Sequence, residues 1–207
     1  DAAHELRSPL AALKVQTDVA QLSLDDPGAQ SKALGQLHAG IDRASRLVDQ
    51  LLTLSRLDSL DNLNDVEPVM MADLLQSAVL DIWHPAQQAG IDIRLNVNAP
   101  EVMRHGQPLL LSLLARNLLD NAVRYSPRGS VVDVTLNTQS FTVRDNGPGI
   151  SSDALARLGE RFYRPPGQDA TGSGLGLSIV KRIAALHGMR VSLGNAPEGG
   201  FEVNVSW

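Results

Sequence analysis

The stretch FTVRDNGPGI, residues 141–150, joins an alternating run of residues to a turn rich in glycine. Alternating apolar and polar side chains predict a strand, and Asp-Asn-Gly is typical of a tight turn. One interpretation is a plain strand-to-helix turn. The other places Asp145 at the floor of a cleft, where an ionised carboxylate only accepts hydrogen bonds and suits the exocyclic amine of an adenine. Gly147 and Gly149 would then let the backbone approach a flat ligand.

The sequence around this stretch predicts helices and a mostly antiparallel sheet. VVDVTLN (131–137) pairs naturally with 141–145 across a short polar turn, and the last residues form a second hairpin from MRVSLGN and GFEVNVSW. Such a mixture is typical of an α+β sandwich. Helices are predicted over 72–89, 108–125, 152–158 and 176–188, with another strand over 91–97.

The predicted helix 108–125 contains the unusual string NLLDNAVRYS (117–126). Asn117 and Asn121 are four residues apart and therefore share one helix face. Asparagine is a mediocre helix former, because its side chain competes for the backbone. Arg124 and Tyr125 add a cation and an aromatic ring one turn later. The pair is either ordinary surface polarity or part of a binding face.

A third stretch, TGSGLGLSIV (171–180), has glycines at the start of a helix. Backbone N–H groups at a helix N-terminus bind anions well. The chain contains no Gly-Lys pair, which excludes a Walker loop, and Leu177 breaks the dinucleotide-binding spacing that Gly172 and Gly174 begin. The polar loop before it, 160–170, is long enough to be a lid or a disordered segment.

Together, and in this order, these three stretches resemble the ATP-binding domain shared by histidine kinases, type II topoisomerases, Hsp90 and MutL. The string FYR (162–164) makes histidine kinases the best match. The resemblance implies that Asn121 holds Mg²⁺ and that Arg124, where Lys is common, contacts phosphate. It also implies that Asp145 recognises the adenine amine. The implied ATP-binding set is Asn117, Asn121, Arg124, Tyr125, Asp145, Gly147, Gly149, Phe162, Gly172, Gly174, Leu175 and Gly176.

The first 60 residues predict two amphipathic helices that form a hairpin. Apolar residues recur every three or four positions up to Leu24, stop at DDPG (25–28), and resume from Leu34 to Leu57. A second copy would cover the remaining apolar faces in a four-helix bundle. Alternatively the hairpin packs on its own downstream domain. The acidic stretch 58–67 marks the boundary, which predicts domains 1–62 and 63–207.

Near its start the first helix carries HELRSPL, residues 4–10. This string resembles the phosphoacceptor box of histidine kinases. The resemblance makes His4 the phosphate acceptor and Glu5 the carboxylate that orients its ring. Ser8, where Thr or Asn is common, would help place a water that removes phosphate from a partner. Pro9 predicts either a kink or a helix start at that point.

Composition limits the other possibilities. The chain has 207 residues, 43% of them apolar, which is enough for a packed core. A net charge of −5 without a dense basic run disfavours nucleic acid as a partner. The absence of cysteine excludes disulfides and zinc–thiolate sites. No run approaches the roughly 20 apolar residues of a membrane span, so this segment is expected to make no membrane contact itself.

The resemblance has further implications for the whole protein. It predicts ATP and Mg²⁺ as cofactors, a homodimer through residues 1–62, and the receiver domain of a response regulator as partner. Longer matches resemble a quorum-sensing member of the family, which predicts a cytoplasmic segment of an inner-membrane protein with its sensor before residue 1. Two alternatives stay open: an ATP-driven conformational-switch ATPase of this fold, and a non-catalytic dimer that only docks a regulator.

Overall fold

The computed structural model describes residues 2–22, 26–165 and 172–207. They divide into two compact units, residues 1–56 and 57–207. Among the described helices, none combines the length and apolar character that a membrane span requires. The elements are α1 (Ala2–Leu22), α2 (Pro27–Asp58), β1 (Glu67–Met70), α3 (Met71–Ala89), β2 (Asp92–Val97), β3 (Met103–Gly106), α4 (Pro108–Tyr125), β4 (Val131–Asn137), β5 (Ser140–Arg144), α5 (Ser152–Arg157), α6 (Gly176–Leu186), β6 (Arg190–Asn195) and β7 (Phe201–Ser206).

The first unit is the predicted pair of helices. α2 begins where the side chain of Asp26 accepts the N–H groups of Gly28 and Ala29, at 2.9 and 3.0 Å. This is an N-cap, with proline at the first helical position, where a missing N–H costs nothing. α1 runs through Pro9 without a break, so a helix start at that residue is wrong, while the kink stays a prediction.

The apolar stripes of this unit are only partly covered. Leu47 and Leu54 are buried, yet Leu10 is 60% exposed and Ile41 46% exposed. Leu24 lies outside the described residues. The two helices meet closely at Gly40, where a side-chain carbon would come within 2.7 Å of Leu13 Cδ2. An uncovered apolar stripe therefore remains on the unit as it stands.

The end of α2 belongs to the second unit, and two arginines hold it there. Arg182 on α6 donates to the carbonyls of Leu57 and Leu60, at 3.1 and 2.7 Å. Arg161 donates to both carboxylate oxygens of Asp58 at 2.8 Å. Carbonyls at a helix C-terminus lack intrahelical partners and attract cations. The compact units thus divide before Leu57, whereas the functional boundary between 62 and 63 stays a prediction.

The second unit is built on a five-stranded sheet in the order β2-β4-β5-β7-β6. Three of its pairings are antiparallel, and β2 pairs with β4 in parallel. α3, α4 and α6 pack beside one another on this sheet. The inward side chains of β4 and β5, Val132, Val134, Leu136, Phe141 and Val143, are buried. The predicted α+β sandwich is confirmed, including its mostly antiparallel sheet.

One pairing was missed by the sequence analysis. β1 and β3 form a separate two-stranded antiparallel sheet, with Glu67 opposite Gly106 and Met70 opposite Met103. Each strand has four residues and only one of the eight is buried. Strands so short leave no alternating pattern for sequence reasoning to detect.

His187 joins the end of α6 to the start of α4. Its Nε2 accepts the N–H of Gln107 at 3.1 Å, while Nδ1–H donates to the carbonyl of Ile183 at 2.8 Å. Burial lowers the pKa of His187, and the Ile183 hydrogen bond opposes that effect only in part. A neutral ring is the form that can accept at Nε2. The contact therefore fixes the two helices that carry most of the candidate site.

Candidate functional site

The predicted asparagines meet the start of α6. A side-chain carbon on Gly176 would lie 3.2 Å from Asn121 Nδ2 and 3.4 Å from Asn117 Oδ1. Asn117 is buried, and its Nδ2 donates to the carbonyl of Leu113 at 2.8 Å within the same helix. α6 therefore begins directly against the polar face of α4, and Asn121 is the asparagine whose side chain is less buried.

The next turn of α4 reaches the other two stretches. The Tyr125 hydroxyl would lie 3.2 Å from a side-chain carbon on Gly172, and Arg124 Nη1 3.8 Å from it. The carbonyl of Tyr125 would lie 3.1 Å from such a carbon on Gly147. The three stretches singled out in the sequence thus converge at α4.

Asp145 is 5% exposed. Its Oδ1 accepts the N–H groups of Gly147 at 2.8 Å and Phe201 at 3.0 Å. No hydrogen bond to Oδ2 is found among the described residues, so this oxygen is the one available to a ligand. Burial raises the pKa of the Asp145 carboxyl, while the two N–H donors and the charge of Arg144 pull it down less strongly. A buried carboxylate with one oxygen unengaged is suited to accepting a hydrogen bond from a ligand.

The glycine cluster is braced by Phe162. The N–H of Phe162 donates to the carbonyl of Gly174 at 3.1 Å. Gly174 has φ of 72°, and a side-chain carbon there would come within 2.6 Å of the Phe162 carbonyl carbon. Leu175 is fully buried and its N–H donates to Ser173 Oγ at 3.1 Å, so its side chain packs in the core, and its role in ATP binding stays a prediction. Residues 166–170 of the predicted lid, and Thr171 after it, lie outside the described residues.

The phosphoacceptor residues belong to the first unit. His4, Glu5 and Ser8 all lie on α1. Their side chains fall outside the part of the chain that the structure describes, so their roles stay predictions. The structure brings together the predicted nucleotide-binding residues of the second unit.

One residue at the site was missed in the sequence. Asn195, the last residue of β6, bonds both backbone groups of Ile150, at the end of the stretch 145–150. An asparagine before a turn is ordinary turn chemistry. No local signal connects it with a loop 45 positions away.

A magnesium site was also predicted, at Asn121. Within the described ranges, no group of three or more His, Cys, Asp or Glu side chains is placed to hold a metal. Mg²⁺ is commonly held by one or two protein oxygens together with water and substrate phosphates. The amide oxygen of Asn121, beside Gly176 at the start of α6, fits that mode of binding.

Two families match this chain. Residues 106–207 match the family described as histidine kinase-, DNA gyrase B- and HSP90-like ATPase. Residues 1–60 match the family described as the His Kinase A phospho-acceptor domain. The first match contains the whole converged site, and the second contains HELRSPL.

Individual proteins also resemble this chain in sequence and in structure. Sensor protein QseC of Salmonella typhimurium is 76% identical over all of this chain and 46% of its own length. A structure of the cytoplasmic segment of histidine kinase QseC is 63% identical, with a TM-score of 0.60, over 81% of this chain and 93% of that one. A full-length structure of ShkA in complex with AMPPNP is 25% identical, with a TM-score of 0.72, over 99% of this chain and 45% of that one. The chain spans about half the length of the curated relatives it matches.

Proposed function

This chain belongs to the histidine kinases, and we propose that it transfers the γ-phosphoryl group of Mg-ATP to His4 and then to an aspartate of a response regulator. The observation that carries this proposal is the convergence of the asparagine face, the Asp145 turn and the glycine cluster along α4. These residues come from three separate parts of the chain. Their assembly supports a nucleotide site rather than three ordinary local features.

The chemistry of each group supports a distinct role. Asp145 Oδ2 would accept the adenine amine, since Oδ1 is already engaged. Arg124 and the N–H groups at the start of α6 would meet the phosphates. Mg²⁺, held at Asn121, would spread the charge of the triphosphate. Tyr125, whose hydroxyl lies toward Gly172, would line the adenine pocket.

The transfer step needs a neutral imidazole at His4. One ring nitrogen attacks the γ-phosphorus, the bond to the ADP oxygen breaks, and ADP leaves. Glu5 would accept the N–H of the other ring nitrogen, which orients the ring and stabilises the positive charge that develops. The phosphoryl group then passes to the carboxylate of the response regulator and His4 is regenerated. Ser8 would position a water that removes the phosphoryl group from the response regulator.

The assembly we propose is a homodimer through residues 1–62. A four-helix bundle is supported by the exposed large apolar residues of the first unit, which it would cover: Leu10, Val15, Val19, Leu22, Leu34, Ile41, Val48 and Leu52. We also propose that the segment lies on the cytoplasmic side of the inner membrane as part of a longer protein. Its support is the likeness to the cytoplasmic segment of QseC.

The experiment that tests the proposed function is incubation of the chain with γ-³²P-labelled ATP and Mg²⁺. We expect label on the protein that is lost in acid and kept in alkali, because phosphohistidine is acid-labile and phosphoserine is not. A regulator domain added afterwards should remove the label from the chain. Steady release of phosphate without labelled protein would instead favour the conformational-switch ATPase.

A substitution in the glycine cluster gives a further prediction. Gly174→Ala should raise the Kd for Mg-ATP at least about tenfold, because the new methyl group meets the Phe162 backbone as well as a strained φ. The matched control is Gly188→Ala, which has φ of 66° but no neighbour within 4 Å of a side-chain carbon. Calorimetric titration would measure both. Equal losses of affinity in the two variants would mean that contact with Phe162 is irrelevant.

A further inference from the structure

The hairpin of β6 and β7 holds the beginning of the stretch 145–150 through its backbone. The N–H of Asp145 donates to the carbonyl of Phe201 at 2.9 Å, and the N–H of Phe201 donates back to Asp145 Oδ1 at 3.0 Å. The neighbouring Gly200, with φ of 90°, leaves room for no side chain, since one would overlap the Asp145 carbonyl. Asp145 is therefore held by the backbone N–H and carbonyl of Phe201, one through its main chain and one through its side chain.

The end of the same stretch is held by a single side chain. Asn195 Nδ2 donates to the carbonyl of Ile150 at 2.6 Å, and Asn195 Oδ1 accepts the N–H of Ile150 at 2.8 Å. A side-chain carbon on Gly149 would come within 2.9 Å of Asn195 Oδ1. The amide thus bonds both backbone groups of one residue and packs against the glycine before it.

Only an amide of this length satisfies both groups of Ile150. An aspartate in place of Asn195 has acceptors alone and would face the Ile150 carbonyl with a charge. A serine is shorter and has one hydroxyl. For residues 146–150, the described hydrogen bonds that fix this turn are the Asp145–Gly147 contact and the two between Ile150 and Asn195. Without Asn195, residues 148–150 lose their attachment to the hairpin while Asp145 keeps its own.

We propose that Asn195 is a positioning residue of the nucleotide site, which holds the Gly147–Ile150 backbone in the conformation that receives the adenine ring. The proposal rests on the proposed function, because it assigns the adenine to Asp145. Asn195 touches no reacting atom. Asn195 orders the Gly147–Ile150 backbone before the nucleotide binds. The free-energy cost of ordering these residues therefore does not reduce the affinity for the nucleotide.

The test compares Asn195→Ser and Asn195→Asp with Asn204→Ser. Asn204 lies on the same hairpin and donates to Thr142 Oγ1 at 3.2 Å, so its replacement also removes one amide from β6–β7. We expect the Asn195 variants to raise the Kd for Mg-AMPPNP about tenfold. Autophosphorylation should show a similar rise in KM for ATP, with the rate at saturating ATP within about twofold of the unsubstituted chain. Adenine should still be preferred to guanine, because Asp145 stays in place.

Melting temperature separates positioning from folding. The Asn195 variants should melt no lower than Asn204→Ser, which should bind nucleotide normally. An unchanged Kd, or a loss of affinity matched by Asn204→Ser, would overturn the proposal. Nucleotide binding measured by calorimetry does not depend on His4. A chain that binds Mg-AMPPNP but takes no label from ATP would refute the proposed kinase activity, and its Kd values would still decide the role of Asn195. A chain that binds no nucleotide would refute both.

Discussion

The His4→Gln variant is expected to take no label from γ-³²P-labelled ATP while it binds Mg-ATP as tightly as the unsubstituted chain. Glutamine has a polar side chain of similar length, but its amide nitrogen is not a nucleophile, so no phosphoryl group can be accepted. The residues proposed to bind ATP all lie between 117 and 176, in the other compact unit. Labelling should therefore fall to background at every ATP concentration, with an unchanged Kd by calorimetry.

The matched control for His4 is His38→Gln. His38 is an exposed histidine on α2 of the same unit, and its ring Nδ1 lies 3.1 Å from the carbonyl of Leu34. That variant should be labelled like the unsubstituted chain. If acid-labile label persisted on His4→Gln, the phosphate acceptor would have to be another residue. Continued phosphate release from His4→Gln at the full rate would favour the conformational-switch ATPase.

The Asp145→Asn variant is expected to lose ATP affinity and keep or gain folded stability. The asparagine oxygen can still accept from Gly147 and Phe201, the two donors that hold Asp145 now. Its NH₂ group, however, would face the adenine amine with a donor instead of an acceptor. Loss of a hydrogen bond to a charged group costs about 1.5–3 kcal/mol, which is about 10- to 150-fold in Kd.

The stability effect of this substitution depends on pH. Burial raises the folded-state pKa of Asp145 above its ordinary value of 3.8, so ionisation destabilises the folded protein. The protonated Asp145 carboxyl contributes to the free energy of unfolding when the pH is below the ordinary pKa. This contribution is lost as the pH rises through the folded-state pKa. Asp145→Asn avoids this loss. Its advantage in melting temperature should therefore be present at pH 7 and disappear in acid.

Asp92→Asn is the control for Asp145→Asn. Asp92 is an exposed carboxylate on the edge strand β2, so the substitution makes the same change of charge away from the site. It should leave the Kd for ATP unchanged. An Asp145→Asn variant that binds ATP normally would remove Asp145 from the adenine site. A variant that melts well below the unsubstituted chain at pH 7 would contradict the predicted sign.

Much of the fold was predictable because burial repeats along the chain. The helix over 108–125 and the strand over 131–137 match α4 and β4 in the structure. Each has one face on the core, and the periodicity of that face is local information. The candidate nucleotide residues gave a different local signal, since paired asparagines, a strand-end aspartate and clustered glycines are uncommon in regular elements and together resemble a known ATP-binding domain. Their roles in ATP binding stay predictions that the variants above would test.

The sequence by itself determined the helical hairpin, the sandwich and the residue types of the candidate site. Only the tertiary structure decided how distant segments are joined. Examples are the parallel pairing of β2 with β4 and the two-stranded sheet of β1 and β3. Another is the ion pair of Arg161 with Asp58, which are 103 residues apart in the sequence. The same holds for Asn195 and Ile150. Periodic burial leaves a trace in neighbouring residues. A hydrogen bond between segments far apart in the chain depends on where the fold places them. The residues around a single asparagine or arginine do not identify its partner.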